Sequence, residues 1–449
     1  MGVKPDLLTS PIGSTILRLA TPNIISMFVL QAALVAEAWY IGHLGTVQLA
    51  GLALVFPMFM LIMMLSAGSM GGAITGAIAQ QLGKGARIKA EELAVNALVL
   101  SALLAAISCF IFLSGGKRIY SILGGSGFVL KQALLYSDLF FIGCFSMWFS
   151  NALAAIVRAT GNMTVAAVGV TIGFLVQGIS SAVFVFGFGP IPSMGIAGAA
   201  AGAVLGFSVA AILHFYFLIF ICKQLTLRLS AISGSFEPMV SIVRVAALSS
   251  INVFCSVASV ITIGAFMAGY GVDILAGYGI GARLEFLLIP MIFGFGAAST
   301  VMVGTHFGAG LIDRAHIAGW TASFFAAIIS GLIGGLVAIF PQLWANVFTE
   351  VEAVRAACIA YLRIAGPFYA FFALGLCLYF ASQGAGRVFW PVMAVVLRFA
   401  IVLIGTLFLS RMGSASIELY FILIASGMIA QGLFSGLSVH LGAWIPRRS

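Results

Sequence analysis

Long apolar runs bounded by glycine, proline or charge recur along the whole chain, at 17–41, 50–80, 93–114, 134–156, 164–188, 195–221, 245–268, 275–303, 317–340, 358–381, 390–410 and 417–444. Each is long enough for a helix that crosses a bilayer, which needs about 20 residues. None alternates polar with apolar residues as the strands of a membrane barrel do. The pattern predicts an all-α, polytopic membrane protein with twelve transmembrane helices. Composition agrees: 62% of the 449 residues are hydrophobic and 7% charged, where a soluble domain carries about 25% charged residues. A soluble enzyme with one anchor is thereby excluded. Met1 to Pro11 has no long apolar core and no small-residue cleavage site, so the first span is expected to remain in the mature protein.

The net charge of +9 changes the picture through its placement. With the N-terminus in the cytoplasm, thirteen cations fall inside: Lys4, Arg18, Lys84, Arg87, Lys89, Arg158, Lys223, Arg228, Arg244, Arg314, Arg387, Arg447 and Arg448. Five fall outside, at Lys117, Arg118, Lys131, Arg355 and Arg411. That bias predicts cytoplasmic termini, and an even number of spans returns both to one side.

The pattern also repeats. Gly45, Leu49, Ala50, Gly51 and Gly68 map onto Gly271, Leu275, Ala276, Gly277 and Gly294 at an offset of 226 residues. Gly83 and Gly85 map onto Gly308 and Gly310, and Gly143 and Gly161 onto Gly366 and Gly384. The expected organisation is an N-lobe at 1–222 with six helices, a cytoplasmic linker at 223–244 containing Ser230, Ser233, Gly234, Ser235 and Pro238, and a C-lobe at 245–449 with six more. Two pseudo-symmetric lobes of like orientation are expected to enclose a central cleft, an arrangement suited to alternating access.

The repeated pattern is carried by Glu37-Ala-Trp-Tyr-Ile-Gly-His-Leu-Gly45 with Leu49-Ala50-Gly51 and Gln81-Leu-Gly-Lys-Gly85, and again by Gly271-Val-Asp-Ile-Leu-Ala-Gly277 and His306-Phe-Gly-Ala-Gly310. In these segments the chain resembles the MATE (multidrug and toxic compound extrusion) transporters over essentially its whole length. The resemblance implies a cation-coupled antiporter in the cytoplasmic (inner) membrane that exports organic, often cationic, compounds. Its implied partners are a small-molecule substrate and the lipid bilayer, with no nucleic acid, no cofactor and no metal besides the coupling ion; the protein is expected to act as a monomer.

An ionisable group at membrane depth costs about 2.5–3.5 kcal/mol on insertion scales and is a functional candidate on that ground. Glu37 is the sharpest, since Asn23, Ser26 and Glu37 share one helical face, and Pro22 removes a backbone donor where the first helix could bend. A carboxyl suits proton transfer, because loss of hydration favours its neutral form. Without that role it would be an interfacial acid snorkelling beside Trp39 and Tyr40. In the family, the position of Glu37 is usually Asp, and its partner is an Asn-x-x-x-Asp pair on the fifth span, which here reads Gln177 and Ser181. One carboxylate with an amide and hydroxyls is a poor sodium site, so the coupling ion is expected to be H+, with Na+ as the alternative. Gln177 and Ser181 are expected to share the ion-coupling role of Glu37, with helix-to-helix hydrogen bonding the equal alternative.

In the second lobe Ser249 and Asn252 stand where the first has Asn23 and Ser26, but Glu37 maps onto Ile263. Ser256 and Ser259 extend that polar face, and Asn23, Ser26, Ser249, Asn252 and Ser256 are expected to line the substrate cavity. Glu285 and Arg283 are two residues apart and so do not face each other; Glu285 is expected to line the cavity or to brace another helix. Arg363 and Arg398 are expected to pair with acidic or carbonyl groups or to reach an interface. The 38 Phe and 17 Met, including Met58, Met60, Met63, Met64 and Met70, are expected mostly to face lipid.

Other chemistries find no footing. The six cysteines form no CxxC, the five histidines no HExxH, and Gly83-Lys84-Gly85 lacks the rest of a phosphate-binding loop. The expected energy source is an ion gradient. A lipid-linked sugar flippase would carry extra spans and a strongly basic cavity, an intramembrane enzyme clustered acids and histidines, and a channel repeated polar rings.

Overall fold

The computed structural model describes residues 5–227, 237–412 and 416–444. Among them the regular structure is helical and builds the twelve spans: α1 Ile12–Leu44, α2 Thr46–Gly83, α3 Arg87–Ile122, α4 formed by Gly127–Ile142 and Cys144–Ala159, α5 Met163–Phe186 and α6 Ile196–Ile221, then α7 Glu237–Gly269, α8 Val272–Gly308, α9 Ile312–Ile339, α10 Glu352–Ala385, α11 Phe389–Arg411 and α12 Ile417–His440. Helices are the form an apolar chain takes in lipid, because only they satisfy every backbone N–H and C=O within the segment. Side chains such as Leu103, Ile107 and Phe110 on α3 and Ile328 and Leu332 on α9 are exposed, as lipid-facing residues should be.

Several helices outrun their apolar stretches, since polar residues at the ends continue the backbone ladder. A glycine of positive φ precedes the second span of each half, Gly45 at φ 134° and Gly271 at φ 113°. Only glycine adopts that backbone without strain, which is why the repeat keeps it. The fourth span of each half, expected as one straight run, is interrupted. In α4 the two parts meet at a 50° bend at Gly143, where a Cβ would lie 2.4 Å from Val204 of α6. In α10 the interruption is a short 3-10 turn at Gly366–Phe368 containing Pro367, which lacks the N–H that a continuous helix needs. The repeat partner of Gly161 (φ 82°) in backbone conformation is Gly386 (φ 70°) and not Gly384, whose lack of a side chain instead lets Thr300 of α8 approach.

The chain divides into two compact units, one of Thr21–Ala246 with Met1–Leu8 and the other of Ala247–Ser449 with Thr9–Ala20. The N-terminal stretch 9–20 therefore packs with residues of the second half: Arg314 on α9 donates to the Ser10 carbonyl at 2.9 Å, and Gly13 sits against Phe325. The change of unit comes one residue before Pro22, and α1 runs unbroken through that proline. Of the expected linker, Ser230, Ser233, Gly234 and Ser235 lie outside the described residues, as do Lys4, Arg228, Arg447 and Arg448. From Glu237 onward the expected linker is already helix, since a proline in the first turn gives up an N–H that would have no partner there. Within the second span, Met63 and Met70 are buried and Met64 is exposed, so lipid contact is not the common fate of its methionines. A seven-residue π-helical stretch, Met64–Met70, interrupts the α-helix there.

Candidate functional site: one carboxylate in each half

Glu37 is 3% exposed in α1. The Tyr136 hydroxyl, from the first part of α4, donates to its Oε1 at 2.6 Å, and the Gln177 Nε2, from α5, donates to its Oε2 at 2.8 Å. Tyr136 and Gln177 are themselves buried. Three helices thus converge on one carboxyl, and both of its oxygens accept. Close packing explains how. Gly51 on α2 lies so near α4 that a Cβ would be 2.8 Å from the Gln132 Cβ, which seats the turn carrying Tyr136. Gly206 on α6 faces Gln177, where a Cβ would come within 2.7 Å of the Gln177 Cβ. The amide of Gln177 is held against Glu37 by that tight α5–α6 seam, and its Oε1 is buried with no partner among the described residues.

Asn23 and Ser26 are buried like Glu37 but bond to other partners. The Asn23 Nδ2 donates to the Met163 sulfur at 3.2 Å, and the Ser26 hydroxyl donates to the Asn23 carbonyl at 2.8 Å. Fourteen residues of helix, about 21 Å, separate Asn23 from Glu37. Ser181 turns toward α6, its hydroxyl donating to the Ala199 carbonyl at 3.4 Å, and Ser180 donates to the Val176 carbonyl at 2.7 Å. The structure therefore brings Gln177 but not Ser181 to Glu37. Tyr136 was missed in the sequence because a lone tyrosine in an apolar run carries no helical-face signal without its partner.

The second half holds its acid differently. Glu285 on α8 forms an ion pair with Arg398 on α11 at 3.1 Å and accepts from the Tyr361 hydroxyl, in the first part of α10, at 3.2 Å. The Arg398 Nη1 also donates to the Gln431 Oε1 on α12 at 3.2 Å, and its guanidinium lies 4.7 Å from the centre of the Phe372 ring. Gly281, one turn before Glu285, has the Tyr361 ring 2.4 Å from where a Cβ would be, and Gly427 makes room for the Arg398 stem. Arg283, two residues from Glu285, is exposed and lies over Phe348, and Arg363 is exposed.

Ser249 forms a separate group with α10: the Gln383 Nε2 donates to its hydroxyl at 3.0 Å and the Tyr379 hydroxyl to its carbonyl at 3.2 Å. Ser256 donates to the Asn252 Oδ1 at 3.3 Å, and Ile263 occupies the repeat position of Glu37, buried. Tyr136 and Tyr361 stand 225 residues apart, so each half uses the same tyrosine for its carboxylate. Chemically the first site can gain or lose a proton among neutral donors, and the second is a neutralised ion pair.

Comparison with known proteins places both halves together. The MatE family model matches residues 22–184 and 248–409. The chain is 25% identical to a "FAD transporter" of Shewanella oneidensis over 84% of its length and 83% of that protein's. It is 24% identical to a Thermotoga maritima protein named "Probable multidrug resistance protein NorM", covering 80% of this chain and 77% of that one. The fold is similar to that of a MOP superfamily transporter from Pyrococcus furiosus, with a TM-score of 0.90 at 22% identity over 99% of both chains.

Proposed function

Because the chain belongs to the MatE family, we propose that it is a secondary antiporter of the cytoplasmic membrane, exporting organic, often cationic, drugs or metabolites in exchange for protons by alternating access. Both termini lie in the cytoplasm on this reading, and one copy of the chain suffices. The names of its relatives span cargo as different as FAD and multiple drugs, which fits a broad cavity better than a single-substrate lock.

The observation that carries the proton assignment is the neutral company of Glu37. As a carboxylate it accepts from Tyr136 and Gln177. Once protonated, it must donate, and the Gln177 Oε1, buried without a partner among the described residues, becomes its acceptor when the amide turns over. The same side chains therefore give Glu37 hydrogen-bond partners in both charge states. The cycle follows: outward-facing Glu37 takes a proton, the change of access carries it inward, and its release restores a carboxylate that can attract cationic cargo. Sodium would have to displace two donors aimed at the carboxylate before finding oxygen ligands.

The test is efflux of an ethidium-type dye from vesicles under an imposed pH or sodium gradient, comparing wild type with Glu37→Gln. Proton-driven efflux lost in a folded variant supports the assignment. Efflux that follows the sodium gradient alone overturns it. Cysteines introduced at Lys84 and Lys117 should label from opposite sides of the membrane; labelling from one side overturns the topology.

A further inference from the structure

Arg158, expected in a cytoplasmic loop, lies inside the second part of α4 and is 6% exposed. The described residues hold two ion pairs, Arg87–Glu91 and Arg398–Glu285, and neither includes it. Its guanidinium forms no hydrogen bond among the described residues either. A buried cation left without a partner is among the least favourable arrangements a protein can hold.

The surroundings form a defined wall. Asn151, Ala155 and Arg158 recur at helical spacing on the face of α4 that meets α2. The Asn151 Nδ2 donates to the Ser66 hydroxyl at 2.7 Å, and the Thr75 hydroxyl donates to the Ala155 carbonyl at 3.1 Å. The guanidinium lies against the end of the π-helical stretch, its Nη2 at van der Waals distance, 3.4 Å, from where a Cβ of Gly71 would be. On the same stretch the Ser69 hydroxyl is buried without a partner among the described residues. π-Helical turns inside α-helices are frequent at functional sites.

The second half shows that this frame does not require a cation. There Thr300 donates to the Phe380 carbonyl at 2.8 Å, as Thr75 does to Ala155, and both pairs are related by 225 residues. The same offset carries Arg158 onto Gln383, and each offers its carbonyl to the glycine that ends the fourth span, Gly161 at 2.8 Å and Gly386 at 3.0 Å. Gln383 is neutral and donates to Ser249. An amide thus suffices for structure, and the charge at Arg158 calls for a ligand.

We infer that Arg158 is the anion-recognising residue of a binding site within the first half, and that exported cargo carries a phosphate or carboxylate group on its organic body. The guanidinium would pair with it through two parallel N–H donors. This rests on the reading of the chain as an exporter and adds an acidic group to the class of cargo it takes.

The test compares two probes that differ by one phosphate. Purified full-length protein in detergent is titrated with riboflavin and with flavin mononucleotide, following quenching of flavin fluorescence. Wild type should bind flavin mononucleotide at least about tenfold more tightly, the scale of one charge-assisted pair. Arg158→Gln, which copies the residue of the second half, should bring the ratio to near unity, and Arg158→Lys should keep part of it. Equal affinity for the two flavins in wild type, no binding of either, or a preference that survives in Arg158→Gln overturns the inference. Flavin binding in detergent needs no ion gradient, whereas coupling is read only as gradient-driven efflux, so a failure of proton coupling and a failure of anion recognition give different results.

Discussion

The two halves place a tyrosine from the same repeat position on a carboxylate, yet complete the set with opposite chemistry. In the first, Glu37 has the amide of Gln177 beside the phenol. In the second, Glu285 has the guanidinium of Arg398. A carboxyl among neutral donors can change its protonation state at modest cost. One paired with an arginine is tied into a contact between helices, and removing either partner leaves the other uncompensated. Two scaffolds built on one repeat thus surround their acids differently: on the function proposed above the first group cycles, whereas the second joins α8 to α11. A related division recurs at Arg158 and Gln383, with a buried charge in the first half and a neutral amide that donates to Ser249 in the second.

The most decisive way to break this comparison is to neutralise each acid in turn. Glu37→Gln should reduce proton-driven efflux by about a hundredfold or more, as expected when an essential proton carrier is removed. Glu285→Gln should leave most of it, and vesicle assays at matched protein content read the contrast directly. Next in size is stability. Either Glu285→Gln or Arg398→Gln alone should cost about 2 kcal/mol, less than the roughly 3–5 kcal/mol of a fully buried pair because these side chains keep some exposure. The double variant should recover much of the loss in a thermal or chemical unfolding series.

The tyrosines sharpen the comparison further. Tyr136→Phe removes a hydrogen bond to a buried acid, worth about 1.5–3 kcal/mol, and should lower proton-driven efflux about tenfold, whereas Tyr361→Phe should lower unfolding temperature with little change in efflux. The smallest effect is expected at the α5–α6 seam. Gly206→Ala places a methyl 2.6 Å from the Gly173 carbonyl oxygen and 2.7 Å from the Gln177 Cβ and should cost about 1–3 kcal/mol through overpacking, seen as a few-fold drop in efflux. Unchanged efflux in that variant would show that the position of Gln177 is not critical.

Much of this was legible in the chain because membrane solvent makes few demands and makes them strictly. Length and apolarity alone identified the spans, the glycine repeat identified two copies of one plan, and the cost of burying an acid singled out Glu37. Glu285 was visible as an intramembrane acid, but its partner was not, since Arg398 stands 113 residues away on another helix. Tyr136 and Arg158 were invisible for the same reason: one looked like core, the other like a loop cation.

The sequence by itself determined that this is a helical membrane protein built twice from one pattern, with an acid in its first span, because hydropathy and periodicity are local quantities read along the chain. Tertiary structure alone decided what each charge would mean. The surroundings of a carboxylate are set by which donors neighbouring helices bring within about 3 Å, and the glycines that let those helices close are felt only when the backbones meet.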